Sequence, residues 1–158
     1  MILEFDNAEK AFIHYYKLIN LVGKEYGDNK ALFNIGFYIM NPQNNIIYNK
    51  YRKFNKDYAE FEYGEVNSNY GYHWNKGNQI DYIIKELNNN KNSRRASISI
   101  YDAKERDNFE NDTPCTYAIN FNIIDNRLNM SVMMRSNDLW YGFCNDQYCF
   151  SKLQELIS

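Results

Sequence analysis

Apolar residues recur along this chain at two spacings. Ala8, Ala11, Phe12, Tyr15, Leu18, Ile19 and Val22 form one stripe at helical spacing, which predicts a helix over 7–22. Asp6 or Asn7 can cap its start, and Gly23 or Gly27 can end it. Ile80, Ile83, Ile84 and Leu87 predict a second helix over 78–88, which runs into an Asn-rich loop. A third is predicted over 147–157, with Leu153, Leu156 and Ile157 as its apolar cluster. Elsewhere the period shortens towards two. Residues 31–40 and 46–48 read as strands around the turn Asn41-Pro42-Gln43-Asn44-Asn45, and residues 96–101 as another.

The longest alternating stretch organises the chain. Tyr117, Ile119, Phe121 and Ile123 alternate with Ala118, Asn120 and Asn122, and after Asp125-Asn126-Arg127 a second run extends from Leu128 to Met134. Alternation on both sides of an Asp-Asn turn predicts an antiparallel hairpin. Cys115 before the first strand and Arg135-Ser136 after the second then fall at the same edge of the sheet. A thiolate is a strong nucleophile whose pKa drops beside arginines, and guanidinium groups chelate phosphate oxygens in pairs. Arg135, with Arg94 and Arg95 upstream, can supply both effects. The plain alternative is a buried structural cysteine among surface arginines.

Composition narrows the classes. The chain has 158 residues, 44% of them hydrophobic and 24% charged, which predicts one domain over 1–158. A net charge of -2 argues against general attraction to nucleic acid, so phosphate recognition must be local. Cys115, Cys144 and Cys149 are odd in number and lack zinc-ligand spacing, which suits a reducing cytoplasm and gives no metal site. The opening MILEF is too short for a signal or span, so no membrane partner is expected. His14 lies off the first helical stripe and reads as solvated or capping. The basic stretch Tyr51 to Lys56 reads as a solvated face before a candidate helix that carries Glu62.

Four motifs in order change this picture: Gly64-Glu65-Val66-Asn67-Ser68-Asn69-Tyr70-Gly71, Ser93-Arg94-Arg95, Asp112-Thr113-Pro114-Cys115-Thr116, and MRSNDLWYGFCND from Met134 to Asp146. Together they resemble the thymidylate synthase superfamily, and within it the deoxycytidylate hydroxymethylases of T-even phages. The resemblance implies an α+β fold, a mixed sheet with helices packed on one face. It also implies a homodimer handling a pyrimidine nucleotide, with methylenetetrahydrofolate as one-carbon donor. Cys115 matches the nucleophile that adds to carbon-6 of the base, and Arg135 and Ser136 match the phosphate-binding pair of the same subunit. Arg94 and Arg95 match the arginines that reach a neighbouring site across the dimer. Asp138 and Gly142 match positions near folate and base, and Tyr70 a tyrosine of the proton-transfer network. Glu62, with Glu60 as fallback, matches the glutamate that organises protons at the ring, and Arg52 can stand for the flexible phosphate-loop arginine. Asp146, preceded by Asn145, replaces the asparagine with which synthases read uracil. A carboxylate suits the exocyclic amine of cytosine. Thr116, where synthases usually have histidine, points the same way.

The chain also departs from the family. Between Tyr63 and Gly64 it lacks a segment that lines the folate side in family enzymes, and beyond Ser158 those enzymes continue with a sugar-binding strand and a closing tail. The expectation is therefore that nucleotide contacts are fuller than folate contacts. Two readings follow: a compact deoxycytidylate hydroxymethylase, or a relative that binds a pyrimidine nucleotide without turning it over.

Overall fold

The first predicted helix forms as α1, Ala8–Val22, in the computed structural model of the protein, which describes residues 2–44, 70–101 and 113–158. Asn7 caps it, its side-chain oxygen accepting the Lys10 N–H at 3.1 Å. At the other end Gly23 donates to Ile19 O at 2.9 Å, and a Cβ there would lie 2.4 Å from that oxygen, so only glycine closes this turn. Ala8, Ala11, Phe12 and Tyr15 are buried, while Val22 is exposed. The apolar stripe is thus covered over its first half only.

The described residues group into two compact units, 1–55 with 138–151, and 56–137 with 152–158. In the first, β1 (Leu3–Phe5) pairs in parallel with β4 (Phe37–Ile39). Phe5, Phe37, Ile39 and Leu139 pack against the buried Ala8, Ala11, Phe12, Phe143 and Cys144. The strand expected over 31–40 is split. β2 (Lys24–Tyr26) and β3 (Asn29–Ala31) form a small hairpin around Gly27, whose φ is 60°. Asn34, at φ 57°, then turns the chain before β4, and a left-handed residue interrupts any extended run. His14 is half-buried and caps no helix: its Nε2 is buried, and its ring packs 5.2 Å from Phe5 and 5.1 Å from Tyr15, centroid to centroid.

In the second unit, α2 (Tyr70–Asn75) is a short helix that the apolar pattern does not announce. A turn at Lys76–Asn78 leads to α3 (Gln79–Asn89), which buries Ile80, Ile83 and Leu87 of the predicted face and leaves Ile84 half-buried. β5 (Ser97–Ser99), β6 (Thr116–Ile124) and β7 (Arg127–Met134) make an antiparallel sheet in that order. Asp125 and Asn126 form the hairpin turn with φ of 50° and 60°, the left-handed pair that a two-residue turn between twisted strands requires. Ile83, Ile98, Ile119, Phe121 and Leu153 are fully buried in this unit. One detail corrects the alternation. Thr116 pairs with Met134 and Ala118 with Met133, so Tyr117 is an extra residue in a bulge and is exposed instead of facing inward with Ile119. Gln79 bonds both backbone groups of Ser99, accepting its N–H at 2.9 Å and donating to its carbonyl at 3.2 Å. The Ser97 N–H donates to Arg95 O at 3.0 Å.

The last helix, α4, spans Phe143–Ile157 and begins at 143 instead of 147. Its polar first turn hides it from an apolar pattern. The fold is α+β, with parallel and antiparallel pairing both present among the described residues.

Candidate active site

Cys115 and Arg135 meet across the open end of the β6–β7 hairpin. The Arg135 N–H donates to Cys115 O at 2.9 Å, which closes the ladder beyond the Thr116–Met134 pair. The Arg135 side chain turns back onto the segment before the cysteine. Its Nη2 donates to Thr113 O at 2.7 Å, and its Nε is shared between Pro114 O and the Tyr101 hydroxyl, each at 3.3 Å. The Tyr101 hydroxyl itself donates to Pro114 O. Three consecutive carbonyls, those of Thr113, Pro114 and Cys115, are therefore all held by one arginine. Partial removal from water works against the Arg135 charge, but the Tyr101 bond and attraction to Cys115, Tyr101 and Tyr70 outweigh it and raise its pKa. Cys115 is half-buried, and Ser136 beside Arg135 is exposed. Tyr70 is buried, its ring stacked on Trp74 at 6.0 Å.

Arg94 and Arg95 differ in their surroundings. Arg95 is bound within its own chain, donating from Nε and Nη2 to Glu86 Oε1 at 3.0 and 2.8 Å. The Ser93 hydroxyl donates to the same oxygen at 2.5 Å. The Ser93 bond first, and Arg95 second, hold the Glu86 carboxyl below its ordinary value. Arg94 is exposed and has no polar partner among the described residues. The two arginines precede β5 instead of heading it, since the strand starts at Ser97.

Asp138, Gly142, Asn145 and Asp146 belong to the first unit. Asp138 builds the turn that nucleates α4: its Oδ1 accepts the N–H groups of Trp140 at 2.9 Å and Tyr141 at 2.6 Å, and its carbonyl accepts those of Gly142 at 3.1 Å and Phe143 at 2.8 Å. A Cβ on Gly142 would meet Asp138 O at 3.1 Å and Asp146 Oδ2 at 3.4 Å, so glycine lets the Asp146 carboxylate lie close to the turn. Asn145 and Asp146 are buried in the first turn of α4, and Asn145 donates to Tyr141 O at 3.0 Å. A carboxylate in a helical first turn faces the positive end of the helix dipole. Burial, and then repulsion from Asp146, push the Cys144 thiol up to about 12. It stays protonated and apolar in character. Glu62, Glu60 and Arg52 lie outside the described residues. Tyr101 was missed by the sequence reading; as the last residue of an alternating run it carried no distinguishing signal.

The thymidylate synthase family model matches residues 33–158. The chain belongs to the thymidylate synthase family. The matched span contains every residue singled out above as a site candidate. Among the synthase family's curated members, the deoxycytidylate 5-hydroxymethyltransferase of Enterobacteria phage T4 is 40% identical over 105 residues, covering 60% of this chain and 42% of the phage protein. A putative thymidylate synthase of Methanocaldococcus jannaschii is 34% identical over 121 residues, covering 72% of this chain and 51% of the other. The chain thus spans about half the length, or less, of these relatives. Among solved structures, the thymidylate synthase of T4 phage aligns with a TM-score of 0.49 at 19% identity, covering 89% of this chain and 44% of that one. The thermostable thymidylate synthase A of Bacillus subtilis aligns with a TM-score of 0.44 at 33% identity, covering 50% and 28% respectively. No helix among the described residues is long and apolar enough to cross a membrane.

Proposed function

We propose that this chain acts on a pyrimidine nucleotide as a hydroxymethyltransferase, adding a one-carbon unit to carbon-5 of dCMP. The observation that carries the reading is the pairing of Cys115 with Arg135 at the open end of the β6–β7 hairpin: their backbones are hydrogen bonded and the guanidinium lies within electrostatic reach of the thiol. Identity of 40% with the phage hydroxymethyltransferase adds to it. In this reading Cys115 Sγ forms a bond to carbon-6, and the electron pair of the 5,6 double bond moves to carbon-5, which becomes the nucleophile. Methylenetetrahydrofolate supplies the one-carbon unit when bound; water supplies the hydroxyl oxygen, and Cys115 Sγ leaves carbon-6 as the 5,6 double bond is restored. Tyr70 and Glu62 serve the protons, including the one that leaves carbon-5. Arg135, through Nη1, which has no partner among the described residues, and Ser136 face the phosphate in the same subunit, and Arg94 that in the partner of a homodimer, since Arg95 is already held by Glu86. Asp146 accepts from the exocyclic amine of cytosine, with Asn145 beside it.

Support for the folate comes from the turn at Asp138. Its Oδ2 has no partner among the described residues, and it sits next to the exposed rings of Trp140 and Tyr141. An acceptor beside two aromatic faces fits a fused heterocycle with ring N–H groups. Gly142 leaves the approach to that turn free of a side chain.

The test is tritium release from dCMP labelled at carbon-5, assayed with methylenetetrahydrofolate. Cys115→Ser is expected to abolish release, a loss of at least about 1000-fold on removing the nucleophile, while leaving the thermal melt unchanged. Release that survives the substitution overturns the reaction. Asp146→Asn is expected to move the preference from dCMP towards dUMP, and an unaltered preference overturns the assignment of cytosine.

A further inference from the structure

The Tyr101 hydroxyl stands where the two elements flanking Cys115 are joined. Tyr101 follows β5, and the Ile100 N–H donates to Tyr117 O at 3.0 Å, so the ring is carried on the sheet itself. Its ring lies 6.5 Å from that of Tyr117. From there the hydroxyl donates to Pro114 O and meets Arg135 Nε. Pro114 is fully buried, which leaves its carbonyl no alternative partner in water. Without the hydroxyl, Arg135 Nε loses one of its two 3.3 Å contacts and keeps the one to Pro114 O, and the 2.7 Å bond from Nη2 to Thr113 O is left as the only anchor of ordinary length for this side chain among the described residues. A phenylalanine would fill the same space and remove only that oxygen.

We propose that Tyr101 is a positioning residue that fixes the Arg135 guanidinium against the turn before Cys115 and thereby sets the reactivity of the thiol. The proposal rests on the reading of Cys115 as nucleophile. It adds to that reading a residue that touches neither substrate nor donor. The titratable groups facing Arg135 among the described residues are Cys115 itself, Tyr101 from the segment after β5 and Tyr70 from α2. An arginine is the only cation in this set, so whatever immobilises it governs the field at the sulfur.

The experiment is the pH dependence of Cys115 alkylation by iodoacetamide in the full chain, followed by mass spectrometry of the peptide that contains it. Cys144 and Cys149 are buried and serve as internal controls. Tyr101→Phe is expected to move the alkylation midpoint upward by about half a pH unit to one unit, within the range that a nearby opposite charge commands, with the melting temperature read in parallel. A midpoint equal to the wild-type value in a folded variant overturns the proposal. Arg135→Lys provides a second arm should Tyr101→Phe not fold: it keeps a cation but cannot span Thr113, Pro114 and Tyr101 together. It too is expected to raise the midpoint, and an unmoved midpoint overturns the proposal. A raised midpoint in a protein that releases no tritium would keep the positioning role and remove the reaction.

Discussion

At the scale of single residues, the most telling atom is Thr116 Oγ1. Thr116 is fully buried, and its hydroxyl has no hydrogen-bond partner among the described residues. Leaving such a group unpaired costs about 1–3 kcal/mol. Thr116→Val keeps the shape and removes the oxygen, so it is expected to raise the melting temperature by about 2–4 °C per kcal/mol recovered in a chain of this size. Differential scanning calorimetry measures it, and a lowered melting temperature would mean that the hydroxyl has a partner in the working protein. The sequence marked Thr116 as a departure from the synthases but gave no sign of its burial. Bulges are invisible to a period of two, and it is the extra residue Tyr117 that separates Thr116 from the regular inward set. Cys115 and Arg135, by contrast, are legible as neighbours, because the turn at Asp125-Asn126 sets the hairpin register and the bulge shifts it by only one residue.

At the scale of elements, the end of α3 shows what helix patterns leave out. Glu86 lies in the last part of a helix that ends at Asn89, where the dipole disfavours an anion. Ser93 and Arg95 offset this by binding one of its oxygens, tying the following loop back onto the helix. The folded state holds the Glu86 proton less tightly than the unfolded state does. The clamp therefore contributes fully above the ordinary carboxyl value of 4.5, and its contribution is lost as pH falls through the lower folded value. Glu86→Gln cannot titrate. Denaturant midpoints of the two proteins are expected to differ most at neutral pH and to converge in acid; a constant gap would refute the clamp. Neither the pairing nor its pH dependence was readable in the sequence, since Glu86 and Arg95 are joined by a loop whose path no periodicity encodes. The early start of α4 escaped for a related reason: Asn145 and Asp146 are polar yet buried, so burial there follows the Asp138 turn and not hydrophobicity.

At the scale of the whole molecule, the motifs carried more information than the periodicities. The α+β class and the family follow from four short motifs in order, whereas the split of 31–40 into two strands and the helix α2 did not follow from apolar spacing. The homodimer we propose predicts a mass twice that of the 158-residue chain in sedimentation equilibrium at micromolar concentration. Mixing Cys115→Ser with Arg94→Ala protein is then expected to restore part of the tritium release that each lacks alone, because one site of the mixed dimer would keep both residues. A monomer, or mixed protein no better than its parents, would remove Arg94 from any shared site.

The attachment of Gln79 to Ser99 has one more outcome, for the behaviour of the protein in a crowded solution. A three-residue border strand such as β5 ordinarily offers its outward amides to any extended peptide that drifts past, which is how fibrils recruit. Here the outward N–H of Ser99 is taken by a side-chain amide and that of Ser97 by Arg95 O. The side chain of a helix thus acts as a plug in place of a further strand. Gln79→Ala would leave the chain folded and unplugged, and so prone to self-association along that border.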